Sequence, residues 1–204
     1  PTSTHRERDL HRFFLKQPWR SLLPDAYKFP IPFTPDGIQE TLVEHYAFSP
    51  HELMASLSLN PELFGGLLTG PPGALTSFWQ TGVETRWYHQ HPLPELHRDP
   101  SLCVPIGLHG DDAGVSGAQK MLVLTRGSVA RELLTLDGRL LFSIVTYAHL
   151  VLGRTIETLY QILVRSLICL AEGCWPSVDH LGQQFSAAHY PARFAVARGA
   201  LCLS

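Results

Sequence analysis

The run Ile106-Gly107-Leu108-His109-Gly110-Asp111-Asp112-Ala113 sets two adjacent carboxylates into an otherwise apolar stretch. Carboxylates fixed on a rigid strand can hold one or two Mg²⁺ or Mn²⁺ ions about 4 Å apart, the arrangement that phosphoryl transfer requires. Side chains alternate along a strand, so only one of the pair can face a given site. Asp111 is therefore the first candidate catalytic and metal-binding residue, and Asp112 the second. The same letters also spell a turn, because Asp side chains between glycines readily bond their own backbone. The residues alone favour that turn.

A second candidate metal site is His89-x-His91 with His97. Imidazoles two apart on an extended chain face the same way and could share Zn²⁺. No Cys or carboxylate stands at tight spacing, so Trp87-Tyr88-His89-Gln90-His91-Pro92 reads better as an aromatic linker bounded by proline. A third set, Arg6, Arg8, Arg12, Lys16 and Arg20, is a candidate nucleic-acid contact. Residues 1–28 carry a net charge of +3, residues 29–85 carry −6 and residues 86–204 carry +1. The total of −2 argues against a surface built throughout for phosphates. Arg outnumbers Lys 13 to 3, which suits bidentate contacts but also follows from coding bias. Gly65-Gly66-Leu67-Leu68-Thr69-Gly70 lacks the following Lys-Ser/Thr of a phosphate-binding loop and reads as a plain loop. Gly114-Val115-Ser116-Gly117 is no nucleophile elbow, and no H-E-x-x-H occurs.

The elements that would position these residues differ between the two halves of the chain. With 204 residues, 45% hydrophobic and 17% charged, the sequence has a core to bury and is no disordered charged tail. Four cysteines without a C-x-x-C pair point to reduced thiols in an intracellular protein, in nucleus or cytoplasm. No signal peptide shows, and Leu140 to Ala171 is interrupted by His149, Gly153, Arg154, Glu157 and Arg165, so no membrane span is expected.

Thr4 and Glu7 form a capping box for a helix from His5 to Lys16. Prolines 18, 24, 30, 32 and 35 hold an extended linker. Asp36 caps a second helix through Ile38, Leu42, Val43 and Tyr46. Ser49-Pro50-His51-Glu52 opens a third, carrying Leu53, Met54 and Leu57, and Asn60-Pro61-Glu62 opens a fourth.

Cys103 to Val115, Met121 to Ala130 and Leu140 to Leu152 read as three strands. Gly114-Val115-Ser116-Gly117 and Asp137-Gly138 mark two antiparallel hairpins. Thr155 caps a long helix to Glu172, with Gly173 and Pro176 stopping it. The expected architecture is α+β: a helical, proline-punctuated region over 1–90, an α/β core over 91–176 with a three-stranded meander on the helix 155–172, and an irregular tail over 177–204.

Strand bearing Asp111, second strand, third strand, then a long helix resembles the opening of an RNase H-like domain, the catalytic core of DDE transposases and retroviral integrases. The match covers residues 103–173. Ser49-Pro50-His51-Glu52-Leu53, the run through Gly110-Asp111-Asp112, Glu157-Thr158-Leu159 and Gly173-Cys174-Trp175-Pro176 are also similar to uncharacterised transposon-like proteins of protists.

The resemblance implies an ancestral metal-dependent DNA strand-transfer activity with Mg²⁺ or Mn²⁺, and Asp111 as the first catalytic carboxylate, held mid-sheet. The family needs a second acid on a fourth strand and a third on a later helix. Asp179 is the only acid after Glu172. The chain is thus expected to be a truncated, inactive piece of such a protein. The alternative is a non-catalytic α+β binding or scaffolding protein, in which the two aspartates form a surface turn. DNA is the expected partner of the first reading, and no oligomeric state follows from either.

Overall fold

A computed structural model describes residues 24–34, 37–90, 99, 103–116, 119–130 and 138–184. The fold is α+β, with a two-stranded antiparallel sheet, a three-stranded antiparallel sheet and several helices, the longest following the last strand. The expected helix from His5 to Lys16 lies outside the described residues.

The proline-rich segment is extended, but it is a paired strand rather than a linker. β1 (Tyr27–Phe33) pairs with β2 (Thr41–Ala47), Tyr27 opposite Ala47 and Phe33 opposite Thr41. The helix read from Asp36 through Tyr46 is therefore not formed over its described residues: 37–39 bend the chain and Thr41–Ala47 are a strand. Val43, His45 and Ala47 turn inward while Leu42, Glu44 and Tyr46 stay exposed, a period of two. Ile38, Leu42 and Tyr46 mimic a helical face by spacing, yet pairing with the half-buried β1 decides the outcome.

α1 (Pro50–Ser58) begins where Ser49-Pro50 indicates, although the Ser49 side chain makes no capping bond. Proline at the first helical position, not the capping box, is the working signal. α2 (Pro61–Phe64) is capped by Asn60, whose Oδ1 accepts from Leu63 N at 3.1 Å. The glycine-rich stretch taken as a loop continues α2 as a π-helical turn over Gly65–Thr69, closed by Gly70 N–H to Gly65 O at 2.8 Å. α3 (Ala74–Val83) and α4 (Arg86–Gln90) follow.

β3 (Ile106–Ser116), β4 (Gln119–Ser128) and β5 (Leu140–Thr146) form the meander, in the order β3-β4-β5. The third strand stops earlier than read. Tyr147–His149 form a 3₁₀ turn, and Leu150 bridges to Phe33, tying the two sheets together.

α5 (Arg154–Glu172) buries Thr155, Leu159, Ile162, Leu163, Ser166 and Cys169, one stripe of helical period. Thr155 is not its cap. It lies inside the first turn, where its Oγ1 donates to Pro32 O at 2.6 Å and accepts from Val151 N at 3.0 Å. The helix stops at Gly173, which takes φ +66°, and Cys174 N–H reaches back to Cys169 O at 3.1 Å.

Two cores result. One joins Tyr27, Phe29 and Ile31 of β1 to Leu124, Phe142 and Val145 of the large sheet and Leu159, Ile162 and Leu163 of α5. The other gathers Leu53, Met54, Leu57 and Leu68, with Ile106 and Leu170 against them.

Candidate functional site

The inner face of the large sheet is set by β4, where Leu124, Arg126 and Ser128 are buried. Residues directly opposite on paired strands share a face. Asp112, Gly110, Leu108 and Ile106 stand opposite Leu122, Leu124, Arg126 and Ser128, and so lie on this inner side. Asp111 and His109, opposite Val123 and Thr125, lie on the outer side. The two aspartates project to opposite faces, as strand geometry requires.

Neither forms a turn, because the sheet ladder runs straight through both. β3 is also the outermost strand of the described sheet rather than a middle one. The Asp111 side chain is 71% exposed, with its Oδ1 accepting from Asp112 N–H at 2.8 Å and its Oδ2 lying 3.7 Å from His109 Nε2. On the other side, Asp112 Oδ1 accepts from the Tyr147 hydroxyl at 2.5 Å and Oδ2 lies 3.9 Å from Lys120 Nζ. That hydrogen bond raises the Tyr147 pKa above the usual phenol value, because ionising the hydroxyl would lose it.

Among the described residues no three His, Cys, Asp or Glu side chains cluster as a metal site would require. His89 is not on an extended chain: it sits in α4, exposed, with its ring edge-on to Tyr88. Helical geometry removes the premise that alternate residues on an extended chain share a face there. His91 and His97 lie outside the described residues, as do Arg6, Arg8, Arg12, Lys16 and Arg20. Asp179 sits in the polar loop expected for it, its Oδ1 accepting from Leu181 and Gln183 N–H, both at 2.8 Å.

Two His–Ser pairs carry no accessible nucleophile, because Ser143 and Ser166 are both buried. His51 Nδ1 meets Ser166 Oγ at 2.6 Å, inside α5 and against a cavity of about 20 Å³, room for no more than a water or so. His45 Nε2 meets Ser143 Oγ at 2.7 Å, and Ser143 donates onward to Tyr46 O at 3.1 Å. Burial lowers the His45 pKa.

Arg126 is the residue that motif reading missed. It is 1% exposed, and its Nη1 donates to Phe48 O at 3.2 Å. Nε and Nη2 have no hydrogen-bond partner. Desolvation pushes its pKa down to about 9, still above neutrality, so the side chain is charged. A buried charge with donors left unpaired is costly and rare. The signal was available in register: Arg126 falls in phase with Leu122 and Leu124 on an apolar strand, where a core residue belongs.

A larger concavity lies elsewhere, between α3, α4 and the segment leading into β3. It measures about 760 Å³ and is lined by Phe78, Trp79, Trp87, Val104, Ile106 and Val129, among others. Polar groups on its walls are engaged within the fold: Trp79 Nε1 donates to Cys103 O at 2.8 Å and Thr85 Oγ1 to Gly82 O at 2.5 Å.

No family model matches the chain, and neither a curated protein nor a solved structure matches it. Among the described residues no helix is long and apolar enough to cross a membrane.

Proposed function

We propose that the chain is a non-catalytic α+β binding module whose ligand surface is the aromatic cleft between α3, α4 and the start of β3. The observation that carries this reading is the cleft's size and lining. A concavity of about 760 Å³ with two tryptophans in its wall falls in the range of small-molecule sites, roughly 300–1,000 Å³. The Thr81 and Thr85 hydroxyls and the Trp79 indole on its wall are already bonded inside the protein, so it offers mainly apolar and aromatic surface. The ligand class is a planar or branched apolar group.

The test is tryptophan fluorescence with 8-anilinonaphthalene-1-sulfonate as probe. The reading expects saturable binding at one site per chain, with energy transfer from tryptophan, weakened at least tenfold in Trp87→Ala. Binding that fails to saturate, or is unchanged in Trp87→Ala, contradicts it.

Metal-dependent DNA strand transfer, with Asp111 holding Mg²⁺ or Mn²⁺ and the basic set Arg6, Arg8, Arg12, Lys16 and Arg20 on DNA, is the weaker proposal. Among the described residues Asp111 has one ligating neighbour on its face, His109, and its acidic neighbour Asp112 points away from it. A two-metal centre needs several carboxylates converging on one point. Stabilisation by Mn²⁺ that vanishes in Asp111→Asn would favour strand transfer over the binding module.

A further inference from the structure

Arg126 lines a cavity of about 60 Å³ on the inner face of the sheet, together with Leu108, Gly110, Phe142, Tyr160 and Leu163. The cavity is separate from the aromatic cleft and shares no lining residue with it. We propose that it is an anion site for a small organic monocarboxylate, held by the guanidinium of Arg126.

Three observations converge on that ligand class. The donors without partners are Nε and Nη2, while Nη1 is occupied by Phe48 O. Nε and Nη2 form the side edge of the guanidinium, whose parallel N–H bonds match the two oxygens of one carboxylate. No acidic side chain of the described residues makes an ion pair with Arg126, so these residues supply the cation and no counter-charge.

Leu108, Leu124, Phe142, Tyr160 and Leu163 give the cavity apolar and aromatic walls, and His109 and Thr125 are its other polar lining. Leu108 is 50% and Tyr160 44% exposed, so the apolar rim reaches solvent. A single carboxylate neutralises the one arginine and leaves its alkyl tail against Leu108 and Tyr160. A phosphate dianion brings more charge than Arg126, the one Lys or Arg lining the cavity, can balance. Volume agrees: 60 Å³ accepts a carboxylate and a short alkyl stem, with no room for a nucleotide.

The experiment is thermal unfolding of the full chain at pH 7 in sodium butyrate, sodium acetate, sodium phosphate or sodium chloride at matched ionic strength. Binding to the folded state alone raises Tm by mass action. The proposal expects a rise that saturates with butyrate, is smaller with acetate, is absent with phosphate relative to chloride, and is lost in Arg126→Met. Leu108→Glu is the second variant, since Leu108 stands directly opposite Arg126 on the same face. Its carboxylate occupies the guanidinium edge, raising Tm without added anion and abolishing the butyrate response. That variant decides the matter even if Arg126→Met does not fold. Equal Tm in butyrate and chloride overturns the proposal, as does an equal rise with phosphate or a butyrate response that survives Leu108→Glu.

Discussion

On the outer face of the three-stranded sheet, Asp111 keeps 71% of its side chain in water and shares its surroundings with one histidine. On the inner face, one strand away, Arg126 is 1% exposed and makes no ion pair with an acidic side chain of the described residues. Both are single charges on neighbouring strands, yet they stand in opposite energetic situations. Asp111 is solvated, so its side chain asks little of the fold. Arg126 is desolvated, so its charge sets a demand that one hydrogen bond to Phe48 O only partly meets. The difference teaches that the acidic motif which stands out in sequence is the quieter of the two. The residue with unspent interaction capacity is an arginine in an apolar strand.

Several substitutions sharpen or break that contrast. The largest effect belongs to the inner face. Phe142→Ala removes a ring that is 1% exposed and in the core shared by β1, the sheet and α5. It is expected to cost about 3–5 kcal/mol in urea unfolding. Thr155→Val, which keeps the shape but deletes the hydroxyl bonding Pro32 O and Val151 N, is expected to cost about 1–3 kcal/mol by the same measurement.

A smaller effect concerns pH. Burial lowers the pKa values of His45 and, with a weaker opposing pull from Asp179, of His180 from the ordinary 6.5. Below pH 6.5 the unfolded chain takes up protons that the folded chain resists. Stability is therefore full above 6.5 and falls as pH drops through 6.5 toward the lowered folded values. His45→Gln should flatten part of that slope between pH 7.5 and 5.5. The smallest effect is on the outer face, where Asp111→Asn should change stability by less than about 0.5 kcal/mol. A larger loss would give Asp111 a structural duty that its exposure does not suggest.

Local chemistry made much of the fold readable. Pro50 after Ser49, Asn60 before Pro61, the three β-rich runs and the stripe from Thr155 to Cys169 each act within a turn or two of themselves. The β1–β2 hairpin was not readable, because Leu42 and Tyr46 carry helical spacing and only pairing with Phe29 and Ile31 on β1 makes their strand favourable. For a related reason the residue types around the aspartates favour a turn while the run Cys103 to Val115 reads as a strand, and the strand is what forms. Gly110 and Gly114 are turn residues by type, but here β4 supplies a ladder that holds them extended. Arg126 escaped because motif reading looks for clusters, whereas its significance lies in the missing counter-charge. That is a property of the packed inner face and of no short stretch of sequence.

A double-mutant cycle tests the central claim most directly, that Arg126 presents a buried guanidinium edge with no acceptor. Urea unfolding would be measured at pH 7 in chloride for the wild type, Leu108→Glu, Arg126→Met and the double variant. The account predicts that Leu108→Glu stabilises the wild type and destabilises the Arg126→Met background, a favourable coupling. An equal effect of Leu108→Glu in both backgrounds would contradict it.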